Sequence, residues 1–363
     1  MLKLRDSPFQ LGAGGTCLVL LLRHLGDAVI ASGFVNALHA NCSGMAVDIL
    51  GRGNLREVSE SFTAFREYIS IDVPLFGHHR RDAAAIKAAY RTMHLVRKRK
   101  YDVCINLIGD VRENLITRMT DAKVTIAPRW EPGHLFKHKI TDRGAAHLVS
   151  CGVAIPSKYS SYYDSMQYFA NQLGMSGMVW ARRPSRIDLP KETRNIALHP
   201  GASHPSRHWP GDKWKALIHE LYRRRYQMTL LGSASERFTL LEIFGAEITG
   251  CNLSVVTDEI PHFMGCLASA DVLIGMDSFS VHAAYALGVP AVVLNGSADP
   301  RIMTPPGNPV VSAGHMCKRY PCYYEFPCQG TDTEYICVRG IEIETVLGAL
   351  ETIVSRNRGA YVT

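Results

Sequence analysis

Two consecutive α/β domains, each a doubly wound parallel sheet with helices on both faces, are predicted for this chain from three observations. Short β-rich runs alternate with helical patterns along most of its length. Several of those runs are apolar without interruption, as strands covered on both faces must be. A proline-punctuated, charged stretch interrupts the alternation midway, and the alternation then restarts. With 363 residues, 47% of them hydrophobic, the chain can bury a core in each of two domains.

The elements follow in order. "CLVLLLRH" reads as the first strand, "AVIASGFVNALHA" as a helix and "MAVDIL" as a second strand. A helical pattern covers residues 82 to 98, followed by the strand "YDVCINL" and later the helix "DSMQYFANQLG". "VWARRPSRIDLPKETR" has linker composition. From Asn195 come "NIAL", a helix from about Pro210, "MTLLGS", a helix through "ERFTLLEIF", then "LSVV", "HFMGCLASA", "DVLIGM", "SVHAAYALG" and "PAVVLNG". The expected division is a domain at 1–180, a linker at 181–194, a second domain at 195–345 with a cysteine-rich segment at 317–337, and a C-terminal helix and tail at 346–363. Ligands of such sheets sit beyond the carboxyl ends of strands, and two such domains place the expected site in the cleft between them.

Composition narrows the class. The longest apolar run near the N-terminus, Cys17 to Leu22, is ended by Arg23 and is far short of a bilayer span or a signal-peptide core, so a cytoplasmic protein is expected. Six of ten cysteines lie singly in apolar surroundings, as reduced core thiols do. A net charge of +7 favours anionic partners without choosing among them.

Four strand-to-helix turns can carry chemistry. In "RHLGDAVI", Asp27 lands at a helix start, either as a cap or as a carboxylate able to take a proton from an acceptor hydroxyl. In "LHPGASHPSRHWPGDKW", the amides of Gly201 to Ser203, the Ser203 hydroxyl and Arg207 can hold a diphosphate, unless this is simply a solvated basic loop. In "DVLIGMDSFSVHAAYALGVP", Asp277, Ser278 and His282 make either a second phosphate or sugar contact or a helix cap with a core histidine. In "LLGSASERF", Glu236 can bind a ribose hydroxyl or serve only as a helix-dipole partner.

Taken together, "HLGDAVIASGFVNALH", "LHPGASHPSRHWPGDKW" and "DVLIGMDSFSVHAAYALGVPAVVLNGSADP" resemble the glycosyltransferase family 9 heptosyltransferases, which build the lipopolysaccharide inner core from ADP-heptose. The resemblance implies a GT-B fold, two Rossmann-like domains facing across a cleft, with acceptor on the N-terminal side and nucleotide-sugar on the C-terminal side. It makes Asp27 the catalytic base, Ser203 and Arg207 diphosphate contacts, Asp277, Ser278 and His282 the donor motif, and Glu236 a nucleoside contact. Phe279 stands where the family motif has glycine, and Arg207 where many members have lysine. The implied activity is an inverting transfer of a sugar, heptose from ADP-heptose, to a glycan such as the lipid-linked core. The chemistry requires no metal or other cofactor, and no Asp-x-Asp metal motif is evident.

Two features lie outside that motif set. Cys317, Cys322, Cys328 and Cys337 have the spacing C-x4-C-x5-C-x8-C, open to a structural zinc or iron site or to free or disulfide-capable thiols. Autotransporter heptosyltransferases, relatives by the same resemblance, bind iron through four such cysteines. "RRDAAAIKAAYRTMHLVRKRK" carries eight basic residues between Arg80 and Lys100 against Asp82 alone, with Ile86, Tyr90, Met93 and Val96 at helical spacing. That predicts one buried and one solvated face, and the basic face can hold the protein peripherally to anionic membrane or to a phosphorylated acceptor. Other readings are the same transfer onto a protein such as an autotransporter adhesin or onto a modified DNA base, and a nucleotide-sugar-binding protein without catalysis.

Overall fold

The computed structural model describes residues 11–72, 83–135, 145–181, 195–251, 253–323 and 325–359. The chain divides into two compact units, the first ending at Ala181 and the second beginning at Arg182. Of the stretch read as a linker, 182–194 lies outside the described residues, as does 80–82 of the basic segment.

The first unit runs β1 (Thr16–Leu21), α1 (Leu25–Asn41), β2 (Ala46–Gly51), α2 (Arg56–Phe62), β3 (Glu67–Ser70), α3 (Ala83–Lys98), β4 (Val103–Asn106), α4 (Val111–Met119), β5 (Val124–Trp130), β6 (Cys151–Ile155) and α5 (Tyr162–Gln172). Its six strands lie in the order β3-β2-β1-β4-β5-β6, all parallel. β1 and β4 are therefore the adjacent strands from which the connections run in opposite directions. The crevice over their carboxyl ends is the place where this topology admits a ligand. β1 and β4 are buried almost throughout, and Leu18, Leu20, Cys104, Ile116, Met93 and Val96 share one core cluster. A buried charge enters the sheet: Asp48 of β2 is held by Arg66 at 2.6 Å and by the Tyr101 hydroxyl. Burial alone would raise its pKa, but these partners bring it below the usual carboxylate value.

The second unit runs β7 (Asn195–His199), α6 (Gly211–Arg223), β8 (Gln227–Leu231), α7 (Arg237–Gly250), β9 (Ser254–Val256), α8 (Ile260–Ser269), β10 (Val272–Met276), α9 (Phe279–Leu287), β11 (Ala291–Leu294), α10 (Pro300–Met303), β12 (Val310–Val311), α11 (Ile336–Arg339) and α12 (Ile343–Gly359). Its order, β12-β11-β10-β7-β8-β9, is also all parallel and reverses between β7 and β10. Trp209, Trp214 and Leu217 pack with Ile274 and Leu350 in its core. Gly288 closes α9 in the left-handed region at φ 72°, which glycine adopts without strain.

One expectation is corrected. In α3 only Met93 and Val96 of the four apolar positions are buried, while Ile86 and Tyr90 are 55% and 69% exposed. At about 100° per residue, the inward direction is set by Val96 and the partly packed Ala89, which leaves Ile86 and Tyr90 on the shoulder of the helix. The exposed side thus carries apolar groups beside Lys87 and Arg91. Among the described residues no helix is long and apolar enough to cross a membrane.

Candidate active site

In the first unit, β1 ends at Leu21 and the chain turns through Arg23 to His24, the extended residue that caps α1. Asp27 is the third helical residue, and its Oδ2 accepts from the His24 amide at 3.0 Å. The cap itself is His24, and Asp27 is the third residue of its capping box, with the second carboxylate oxygen not used in that bond. Gly26 lies in the first helical turn, and the bend falls at Arg23 and His24. Asp27 stands after β1, so it sits at the topological switch point of its sheet.

In the second unit, the turns after β7, β8 and β10 converge at the corresponding switch point. Arg207 belongs to a 3-10 turn, Pro205–Arg207; its Nη1 donates to the Asp277 carbonyl at 3.3 Å and lies 4.0 Å from the Asp277 carboxylate. Asp277 is buried directly after β10, with its amide bonded to the Leu294 carbonyl and the Asn295 side-chain amide 3.5 Å from its carboxylate. Ser278 is the extended N-cap of α9, and its carbonyl accepts from the Val281 amide at 3.2 Å, while the earlier amides of α9 have no acceptor within the helix. Glu236 follows β8 and accepts from the Ser233 amide at 2.8 Å and hydroxyl at 2.7 Å. Burial would raise its pKa, but the bonds from Ser233 lower it, so it is a carboxylate.

Glycine makes this convergence possible at two points. A Cβ on Gly201 would stand 2.5 Å from Glu236 Oε1, and one on Gly296 would overlap the Ser206 carbonyl oxygen. The β8 carboxylate thus reaches over the β7 turn, and the β11 turn presses against the segment carrying Arg207.

Ser203 is exposed and forms no hydrogen bond among the described residues, so its side chain is open to a ligand but is not bonded to the rest of the site. His282 is buried in α9 at 6% exposure. Phe279 opens α9 without the positive φ that would demand glycine, so the family glycine is not needed for backbone geometry here. Its ring lies 5.7 Å from Phe263, which meets His199 edge-on at 5.5 Å.

His199 was not anticipated. It ends β7, is buried, and its Nδ1 stands 3.0 Å from the Ser280 hydroxyl and 3.4 Å from that of Ser278. Burial pushes its pKa well below the usual histidine value, so the ring is neutral and ties the β7 and β10 turns together. A histidine closing an otherwise apolar strand run beside "PG" was the available signal.

The cysteine-rich segment braces this site. The His204 ring stacks on Phe326 at 3.9 Å and 10°, Tyr320 bonds to Asn295, and Ser297 bonds to both Ser206 and the Tyr323 carbonyl. Cys317, Cys322, Cys328 and Cys337 are free thiols. Burial, and then the neighbouring thiols, raise Cys337 to about 11. Among the described residues, however, no three His, Cys, Asp or Glu side chains are gathered as a metal-ligand set. The four thiols share one neighbourhood.

The glycosyltransferase family 9 (heptosyltransferase) profile matches residues 89–331. Lipopolysaccharide heptosyltransferase 3 of Escherichia coli is 22% identical over 298 residues, 77% of this chain and 82% of that protein. Among solved structures, E. coli ADP-heptose lps heptosyltransferase II superposes with a TM-score of 0.66 at 18% identity, covering 94% of this chain and 99% of that one. E. coli heptosyltransferase WaaC with ADP-2-deoxy-2-fluoro heptose gives 0.65 at 15% identity, covering 81% and 92%. The fold is accordingly GT-B-like, with a six-stranded parallel sheet in each unit. With two thirds of its length matched by the family profile, the chain belongs to glycosyltransferase family 9, the heptosyltransferases.

Proposed function

We propose that this glycosyltransferase moves heptose from ADP-heptose to a hydroxyl of a lipid-linked lipopolysaccharide core glycan, with inversion at the anomeric carbon. The observation that carries the reading is the convergence of Arg207, the α9 N-terminus, Ser278 and Glu236 at one switch point, a cationic, amide-rich turn suited to a nucleoside diphosphate. ADP-heptose is the donor class because the similar E. coli enzymes are an ADP-heptose transferase and one solved with a fluorinated ADP-heptose.

In the proposed reaction Asp27 takes the acceptor proton as the acceptor oxygen bonds to the anomeric carbon. The bond from that carbon to the diphosphate oxygen breaks, and ADP leaves with the electron pair. Arg207, the amides of Gly201 to Ser203 and the start of α9 stabilise the departing charge, so the step is independent of metal. Ser203 and Ser278 contact the diphosphate, Glu236 the ribose, and Asp277 and His282 hold the donor turn.

Donor choice is tested by thermal shift and turnover with ADP-heptose beside GDP-, UDP- and dTDP-sugars, with and without chelator. ADP-heptose at a hundredfold excess over its Kd should add roughly 2.7 kcal/mol of stability. Transfer should survive chelation. A shift with another nucleotide alone overturns the donor assignment, and binding without transfer or donor hydrolysis identifies a nucleotide-sugar-binding protein.

The acceptor's lipid anchor gives the exposed side of α3 a role in the same proposal. Ile86 and Tyr90 beside Lys87 and Arg91 form an apolar and cationic strip suited to a peripheral, anionic membrane surface. Co-sedimentation with anionic vesicles should fall several-fold when Lys87 and Arg91 become glutamate. Equal sedimentation with neutral vesicles would refute a charge-led contact.

A further inference from the structure

Behind Asp27 the first unit buries a charge cluster that the transfer step above does not use. Arg23, on the turn from β1, donates from Nε to Glu113 Oε1 at 2.7 Å, and its Nη2 lies 3.1 Å from Asp110 Oδ2. Asp110, the N-cap of α4, and Glu113, in the first turn of that helix, follow β4, the strand beside β1, and are 1% and 2% exposed. Asp110 is also gripped by Arg112, at 3.0 Å from its Nε and 2.8 Å from its amide. Glu113 Oε2 is buried without a hydrogen bond among the described residues.

The two carboxyls are held in opposite states. Burial would raise Asp110, but Arg112 and Arg23 bring it down to about 2. Burial outweighs Arg23 at Glu113, which is pushed up to about 7, with the charges of Asp110 and Asp27 adding to the rise. Asp27 lies within electrostatic reach of both Arg23 and Glu113. The other groups around α4 do not compete: Tyr162 of α5 is a phenol kept neutral by burial, while Arg129 of β5 and His147 of the 3-10 turn packed on α4 are exposed.

We propose that Glu113 is a positioning residue for the transfer reaction, pinning Arg23 behind the β1–α1 turn and setting, by its charge, how much of Arg23's positive field falls on the Asp27 carboxylate. The inference rests on Asp27 as the base. When Glu113 is neutral, the cluster of Arg23 and Arg112 against Asp110 keeps one net positive charge, which disfavours proton transfer in the β1–α1 turn. When Glu113 is ionised, the cluster is balanced and that penalty is lifted. Turnover should therefore rise with pH across neutrality, with Glu113 as the titrating group.

The test is the pH profile of kcat, with donor Kd and melting temperature measured alongside, for the natural protein, Glu113→Gln, Glu113→Asp and Asp27→Asn. The natural protein should show a step near neutrality. Glu113→Gln should lose the step and fall on the order of tenfold in kcat at pH 8, with donor Kd unchanged. Glu113→Asp, which keeps the acid on a shorter stem, should retain a displaced step, and it decides the matter if the glutamine variant does not fold. An unaltered step in either variant overturns the inference. Loss of activity in Asp27→Asn with an unaltered step in Glu113→Gln rejects the role of Glu113 alone, whereas full activity in Asp27→Asn rejects the base itself.

Discussion

Asp27→Asn should lower kcat by about 10²- to 10⁴-fold while leaving donor affinity within about twofold, the range expected when a general base is lost but the donor grip is untouched. The substitution suits the question because asparagine keeps an oxygen that can accept from the His24 amide, so the start of α1 stays capped. Turnover and donor Kd must be measured on the same preparation. A variant with near-natural turnover would remove Asp27 as the base, and one that also fails to bind donor would point to damage beyond the lost proton acceptor.

The second large effect is expected at Arg207. Arg207→Met removes the cation from the donor turn while keeping much of the side chain's bulk, and kcat/KM for the donor should fall by about 10²- to 10³-fold. Arg207→Lys should recover part of that loss, because an ammonium supplies charge but not the two-pronged geometry of guanidinium. Asp277, 4.0 Å from Arg207, loses its nearest cation in the methionine variant, so a melting curve must accompany the kinetics. An unchanged kcat/KM would show that the diphosphate is held elsewhere.

The two parallel sheets were legible in the sequence because strands covered on both faces read as apolar runs, and "DVLIGM" and "YDVCINL" are such runs. The strand order was not, since nothing local in β7 says that β10 will lie beside it. For the same reason Asp27, Arg207 and Asp277 could be picked out singly, from turn chemistry, whereas the pairing of Arg207 with Asp277 spans 70 residues. The Arg23–Glu113 bond spans 90 residues and left no local trace. His199 was hidden by its setting, a polar residue ending an apolar strand. Ile86 and Tyr90 misled for another reason: their spacing suits a buried stripe, but the small Ala89 faces the core and leaves them on the shoulder.

The stacking of His204 on Phe326 has a consequence for the order in which the protein matures on the ribosome. The turn that carries Arg207 is synthesised more than a hundred residues before the ring that braces it, and β7 precedes its neighbour β10 by 76 residues, from Ile196 to Val272. A nascent chain halted just before Cys317 already holds every strand of the second sheet, yet its Arg207 turn lacks the aromatic brace. The Arg207 turn thus gains its aromatic brace only after the C-terminal segment has been made.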